Sequence, residues 1–446
     1  MSVAKPLDVA HPEFLWTDGG GNMQRLNWRL CAVLAMTGGW TTRALAQKAL
    51  TWQELRDRFD LTNPTLQAAR IGIQESRAQE ITAFLRPNPE FTESTDGTQL
   101  TPSEGVYQPF SGTQFTSSVG YLHERQHKRE LRLESARKAT AIAESQLADQ
   151  ERSLLFNLRN AFVQTLQAKA VLALATENLA YYDQVLRVSR DRRQAGDIAQ
   201  VDLERLELQR VQYETDLQTA TVNLRTAKIQ LLALLNDRTP LERFDVAGPF
   251  DFPDRIVPLE DLRAKALAAR PDLQAAVQAV DKARTDHRLA VANGSTDPTF
   301  SGWWSHNASF NNPAANNTIG VSVSFPLRIF DRNQGEKART QLDISRNEKL
   351  RAATEAQVFN DVDSAYATVN NNLTLLTAYK ARYLQQAERV REIISFSYQR
   401  GGASLLDFLQ AQQDYRSVQL NYLNLIGSYL ASASQLNMAV GQEVIQ

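Results

Sequence analysis

Two stretches of the chain carry one heptad pattern at a constant offset of 205 residues. Leu203, Leu206, Arg210, Tyr213, Leu217, Ala220, Leu224, Ala227, Leu231 and Leu234 answer to Phe408, Ala411, Tyr415, Val418, Tyr422, Leu425, Tyr429, Ser432, Leu436 and Ala439. The spacings alternate three and four, a period of about 3.5 residues that lays a seam along a helix for packing against partner helices. The duplication reaches further. Pro64, Leu66, Gln67, Ala68 and Ala69 recur as Pro271, Leu273, Gln274, Ala275 and Ala276, and Pro89 and Phe91 recur as Pro298 and Phe300. The chain therefore reads as two structural repeats made mostly of long coiled helix.

Helix breakers set the lengths. No Gly or Pro occurs between Tyr121 and Ala195, or from Glu336 to Arg400, so each stretch reads as one helix. About 65 helical residues make a rod of roughly 100 Å. Each rod stops at a glycine turn, Gln194-Ala195-Gly196-Asp197 and Gln399-Arg400-Gly401-Gly402, because glycine readily takes the left-handed conformation that ends a helix. The chain then returns along the heptad helix, giving two hairpins whose tips share one end.

At the other end each repeat has two strand-like segments. Ile319, Val321, Val323 and Phe325 alternate with Thr318, Gly320, Ser322 and Ser324; Phe115, Val119 and Tyr121 alternate less cleanly with Thr116, Ser118 and Gly120. Their partners are Pro89 to Thr95 and Thr299 to His306, the latter holding Trp303 and Trp304, with exposed turns over 96–112 and 307–317. Period two suits a barrel wall between lipid and water, and equally a small sheet capping a soluble helical bundle. An apolar face without charges, together with an export signal, favours the membrane. Four strands cannot close a membrane barrel, so the wall has to be shared between chains.

The export signal begins at Met23, with Arg25 and Arg29, an apolar stretch from Leu30 to Met36, and Ala44-Leu45-Ala46 before Gln47. Residues 1–22 read as an overlong start. The expected organisation is a signal peptide over 1–46, a first repeat over 47–236, a proline-rich linker over 237–258 and a second repeat over 259–446. Cys31, the only cysteine, falls inside the signal and too far before its small residues to be a lipid anchor. After Ala46 no run approaches the roughly 18 to 20 apolar residues of a membrane-spanning helix.

Charge excludes one class of partner. With 49 basic and 50 acidic residues, the chain lacks the excess of Lys and Arg that nucleic-acid binding demands, so no nucleic acid is expected. One enzymatic motif stands out. His123-Glu124-Arg125-Gln126-His127 matches the H-E-x-x-H zinc pattern. It follows directly on a strand, runs into the charged Lys128 to Arg132, has no apolar periodicity around it and has no counterpart in the second repeat. No catalytic residue, resident metal or cofactor is expected.

Taken together, two repeats of helix, strand, strand, very long helix, glycine turn and heptad helix resemble the TolC-like outer-membrane factor family, over nearly all of the mature chain. Ser324-Phe325-Pro326-Leu327 followed by Phe330-Asp331-Arg332-Asn333-Gln334-Gly335 is similar to the strand-to-helix junction of the CzcC-type branch, which serves heavy-metal efflux. The resemblance implies a mainly α fold with a β-barrel portion. Three chains would form a periplasmic tunnel of helical hairpins and a twelve-stranded outer-membrane barrel, with Phe115, Val119, Tyr121, Trp303, Trp304, Ile319, Val321, Val323 and Phe325 as membrane-strand residues. It implies as partners further copies of the chain in a homotrimer, a periplasmic adaptor (membrane fusion protein), an inner-membrane RND pump and outer-membrane lipid. The function implied is passive export, of heavy-metal cations by this junction. The exit duct of a drug or peptide (type I) exporter shares the architecture, and a soluble periplasmic coiled-coil adaptor is the competing class.

The same resemblance implies that the tips, Gly196, Asp197, Gly401, Gly402 and Ser404, meet the adaptor. It also implies that the tunnel closes at a carboxylate ring to which Asp407 corresponds. A second acidic position of some members is Gln410 here, a basic one is Ala403, and Asp202 takes the first-repeat position of Asp407. Three carboxylates gathered at a pore attract cations and repel each other, which would make closure sensitive to pH and metal. Asp202 reads first as a solvated charge on a helix flank and only second as part of the gate, the reverse of Asp407.

Overall fold

Asparagine 63 shows how the repeat is hinged. Its side-chain oxygen accepts from the Thr65 and Leu66 N–H groups at 3.0 and 3.1 Å, capping a helix that opens on Pro64, while its amide donates to the Leu234 carbonyl at 3.2 Å. The computed structural model describes residues 49–253, 256–307 and 316–445. The signal segment over 1–46, with Cys31, and most of the 307–317 turn lie outside the described residues.

The first half of the chain runs α1 (Trp52–Thr62), α2 (Pro64–Phe84), β1 (Glu90–Asp96), β2 (Gln114–Leu122), α3 (Lys128–Gln194) and α4 (Gln200–Leu234). The second repeats that order as α5 (Leu259–Ala269), α6 (Pro271–Asn293), β3 (Thr299–Asn307), β4 (Asn317–Ser324), α7 (Gln334–Ala378), α8 (Leu384–Gln399) and α9 (Leu405–Val440). Each leading helix is thus a pair, broken at Asn63-Pro64 and Arg270-Pro271, since proline cannot donate to a continuing helix. Helix α3 has 67 residues, about 100 Å. Its counterpart is helical throughout but not uniform. Between α7 and α8, Tyr379–Tyr383 forms a π turn in which the Leu384 N–H bonds the Tyr379 carbonyl. The uninterrupted helix expected from 336 to 400 therefore carries a local widening that its breaker-free sequence does not signal.

Each repeat buries its own core where α1 or α5 crosses the long helices. In the first, Leu55, Phe59, Leu66, Leu158, Leu231 and Phe244 pack together; in the second, Leu262, Val358, Val362, Val369, Tyr429 and Leu436 do so. At the position of Asn63 the second repeat has Arg270, only 3% exposed. It donates to the Ala439 carbonyl at 3.2 Å, to Asp272 at 2.6 Å and to Asp361 at 2.8 Å. Two different side chains thus tie the end of each heptad helix to the break between its two leading helices.

Within the stretch over 237–258, whose prolines read as a linker, the described residues 237–253 are strapped to the core. Leu50 and Val246 form a parallel bridge, with Leu50 N–H donating to Asp245 at 2.9 Å and Ala247 N–H to Leu50 at 3.0 Å. Phe244, Val246 and Phe252 are buried, and Lys169 and Lys228 reach Asp245 at 2.6 and 3.4 Å. Four apolar or charged anchors in so short a stretch hold it against the helices despite its lack of periodicity.

Burial works against the Asp272 charge, but the Arg270 hydrogen bonds and charge outweigh it and hold the carboxyl below the usual range. A depressed carboxylate stabilises fully above its unfolded value, near pH 4, and loses that contribution as pH falls through the lower folded value. Arg270→Ala should therefore destabilise by about 3–5 kcal/mol at neutral pH, because it strands buried charge, and the gap to wild type should narrow below pH 4. Thermal unfolding followed by circular dichroism across that range checks both points.

Candidate functional site: an open sheet and paired hairpin tips

The four strands form one antiparallel sheet in the order β1-β2-β3-β4, so β1 and β4 are both edges. Its register aligns Phe91, Val119, Gly302 and Val321, and next to them Tyr121, Phe300 and Val323. Side chains alternate across a sheet, so one face also carries Phe115, Trp304 and Ile319. Ile319 and Val321 on edge strand β4 are 85% and 87% exposed, far more than two apolar side chains in water favour. The other face carries Thr92, Thr116, Ser118, Ser301, Ser305, Thr318 and Ser322.

Two details depart from the pattern expected of the strands. Trp303 and Trp304 lie on opposite faces, and Trp303 packs over Gly320, where an added Cβ would sit 2.3 Å from the indole. Glycine is required there by space. The apolar face is also not free of charge, because Glu93 of edge strand β1 shares it, aligned with Ser117, Trp304 and Ile319. Phe325 lies just past the end of β4 and is exposed.

At the far end the two hairpin turns have one geometry. Gly196 and Gly401 have φ of 87° and 77°. The Asp197 and Gly402 N–H groups bond carbonyls five residues back, Arg192 and Ser397, both at 2.9 Å, and the glycine N–H groups bond Arg193 and Tyr398 at 3.1 Å. Two such bonds satisfy carbonyls that a helix end otherwise leaves open. The tips lean on each other through a shared aromatic cluster. Tyr182 stacks on Tyr213 at 4.4 Å, Tyr398 on Phe408 at 4.8 Å, and Leu186, Leu206 and Leu405 fill the space between.

The return helices begin differently. Ser404 caps α9, its Oγ accepting from the Asp407 N–H at 3.1 Å, while the Asp407 carboxylate accepts from the Ser404 N–H at 3.2 Å and hydroxyl at 2.7 Å. This reciprocal box leaves Asp407 exposed but fixed in direction. In the first repeat Ala199 stands where Ser404 does, and among the described residues the half-buried Asp202 carboxylate has no hydrogen-bond or ion-pair partner. Gln410 turns along its own helix to Asp414 at 2.7 Å. The structure thus puts Asp202 and Asp407 at matching points of the two tips and directs Gln410 elsewhere.

The zinc motif does not form a site. Residues 123–127 are not helical, Gln126 and His127 have left-handed backbone, and Glu124 is held by Arg132, one oxygen at 2.9 Å from Nη2. The two histidines therefore never share a helix face as that chemistry needs. Among the described residues, no group of three or more His, Cys, Asp or Glu is placed to hold a metal, and no helix is long and apolar enough to cross a membrane.

Comparison with known proteins gives this architecture its class. The family model described as outer membrane efflux protein matches residues 55–237 and again 262–442, once per repeat. The chain belongs to the outer membrane efflux protein family. The cobalt-zinc-cadmium resistance protein CzcC of Cupriavidus metallidurans is 24% identical over 393 residues, covering 85% of this chain and 87% of that one. The pyoverdine export outer membrane protein OpmQ of Pseudomonas aeruginosa is 24% identical over 410 residues, 87% and 84% of the two chains. Among solved structures, CusC superposes with a TM-score of 0.74 at 18% identity over 88% of this chain and 92% of that one. VceC from Vibrio cholerae gives 0.72 at 16% identity over 88% and 96%. The protein is an outer-membrane efflux channel component, with strands for the membrane and long helical hairpins for the periplasm.

Two buried tyrosines give a test of the packing. The Tyr182 hydroxyl donates to the Leu206 carbonyl at 3.0 Å, whereas the Tyr429 hydroxyl is buried without a partner among the described residues and burial pushes its pKa up to about 12. Tyr182→Phe should cost about 0.5–1.5 kcal/mol, and Tyr429→Phe should be neutral or slightly stabilising, since it removes an unsatisfied group. Paired melting curves decide the order.

Proposed function

We propose that three copies of this chain form the exit duct of a tripartite efflux pump for heavy-metal cations. The observation that carries the assembly is the open sheet: β1 and β4 have free edges, and the β4 edge bears Ile319 and Val321 almost fully exposed. An unpaired edge is untenable in hydrocarbon, and pairing β1 of one copy with β4 of the next removes every edge at once. The exposed tips around Gly196, Asp197, Gly401, Gly402 and Ser404 then face a periplasmic adaptor, which links the duct to an inner-membrane RND pump. Energy comes from that pump, and the duct conducts passively.

The metal assignment is supported by the likeness to CzcC over most of both chains. OpmQ, equally identical, supports a second reading in which the duct exports an organic molecule. A deletion strain separates them: loss of growth in cobalt, zinc or cadmium, restored by the gene, supports metal, and unchanged metal tolerance removes it.

Asp407 is the gate residue in this reading. Three copies would converge at the tip, each carboxylate aimed by its Ser404 cap, and cations entering would meet that ring first. Asp407→Asn keeps a capping oxygen but removes the charge, so conductance in planar bilayers should rise at neutral pH and block by divalent cations should weaken. Unchanged conductance and unchanged block would remove Asp407 from gating. Asp407→Ala should additionally lower stability by about 1 kcal/mol through the lost cap.

A further inference from the structure

The sheet has one basic rim. Its registers bring Glu90, Leu122, Thr299 and Ser324, one end of every strand, to the same edge. No Lys or Arg occurs from Pro87 to Leu122 or from Asn293 to Leu327. Just beyond those limits stand Arg86, Arg125, Arg328 and Arg332, all on the side where the long helices begin. The strands and the opposite turns carry no Lys or Arg: Glu90 lies at this rim, and Glu93, Asp96 and Glu104 lie beyond it.

None of these four arginines is committed to an ion pair among the described residues, although, against burial and behind Lys128, Arg328 helps hold the Asp297 carboxyl below its usual range, and Arg332 Nε donates to the Arg328 carbonyl at 3.2 Å. The neighbouring acids are already engaged, Glu124 by Arg132, Glu130 by Arg129 at 3.0 Å and Asp297 by Lys128 at 2.5 Å. Asp331 accepts from the Asn333 N–H at 2.8 Å. Among the described residues, Arg86, Arg125, Arg328 and Arg332 make no ion pair with a carboxylate, and Arg328 Nε is buried without any hydrogen-bond partner. Arg86 and Arg125 border a cavity of about 510 Å³ beside the end of β2.

Apolar side chains sit at the same level. Leu85, Leu327, Ile329 and Phe330 are 60%, 74%, 62% and 89% exposed, and Arg129 lies 4.2 Å over the ring of Phe84. Exposed apolar groups interleaved with guanidiniums that lack a carboxylate partner suit one environment, the boundary where acyl chains meet phosphate. The stem of an arginine packs on hydrocarbon there while its planar fork binds phosphate oxygens.

We propose that this rim is a binding belt for the phosphate headgroups of acidic phospholipids in the periplasmic leaflet of the outer membrane. The proposal rests on the sheet being a membrane wall, and it adds a lipid class and the residues that select it. Binding orients the wall, because cations at one rim and acids at the other make the reverse placement against an acidic leaflet unfavourable. It also fixes where the long helices leave the membrane.

The test uses the purified full chain in mixed micelles of phosphatidylglycerol and phosphatidylcholine, with retained lipid counted by native mass spectrometry. Wild type should retain phosphatidylglycerol preferentially, and each of R86Q, R125Q, R328Q and R332Q should lower the preference, by up to about fivefold per arginine. R125K should keep it, which separates charge from fold, and Arg190→Gln, far along α3, should leave it unchanged. Equal retention of both lipids, rim variants that match wild type, or displacement of the lipid by inorganic phosphate at fixed ionic strength would each overturn the belt. Insertion into vesicles distinguishes the deeper failure: a chain that enters bilayers but shows no headgroup preference sinks the belt alone, whereas one that enters no bilayer sinks the wall as well.

Discussion

Backbone groups at a strand edge need partners, and hydrocarbon supplies none. A four-stranded sheet with two open edges and an apolar face is therefore incomplete by itself, and this incompleteness organises the molecule. It explains why Ile319 and Val321 are exposed and why the strands are held together at one rim by register. It also explains why each pair of strands is carried on helices long enough to reach far from the sheet. A soluble domain would have covered that face with one of its own helices; here all the long helices lead away from it.

The two repeats reach one geometry by different chemistry. Asn63 and Arg270 perform the same tie, one as a neutral cap and the other as a buried cation held by two aspartates. His127 and Asn333 both start a long helix from left-handed backbone, and Ala199 stands where Ser404 caps. Such substitutions leave the backbone alike while changing charge and its burial. The two tips consequently differ in electrostatics, with Asp407 aimed by its cap and Asp202 unattached.

Much of this was legible beforehand because helix and strand periods are local signals. The heptad, the breaker-free stretches and the glycine turns placed the hairpins, and alternation placed the strands within a residue or two. What escaped leaves no local signal. The seat of Trp303 on Gly320 and the strapping of 237–253 through Val246 depend on residues distant in sequence, and the π turn at Tyr379–Tyr383 interrupts a stretch without any helix breaker. Glu93 escaped because period two says which residues share a face, and the weak alternation of β1 did not reveal its face until pairing with β2 set it. The H-E-x-x-H motif was rightly set aside on its charged, aperiodic surroundings, and its spacing presumes a helix that begins only at Lys128.

The chain's own order of residues determined the duplication, the rods, their reversal points and the two-faced strands, because each follows from backbone propensity and side-chain period over a few turns. Only the tertiary structure decided which carboxylates are tied and which are free, which tryptophan faces out, and that four arginines stand without a carboxylate partner on one rim. Those outcomes are set by distance and burial among elements far apart in the chain, because electrostatic and steric interactions depend on separation in space and on the local dielectric, not on separation in sequence.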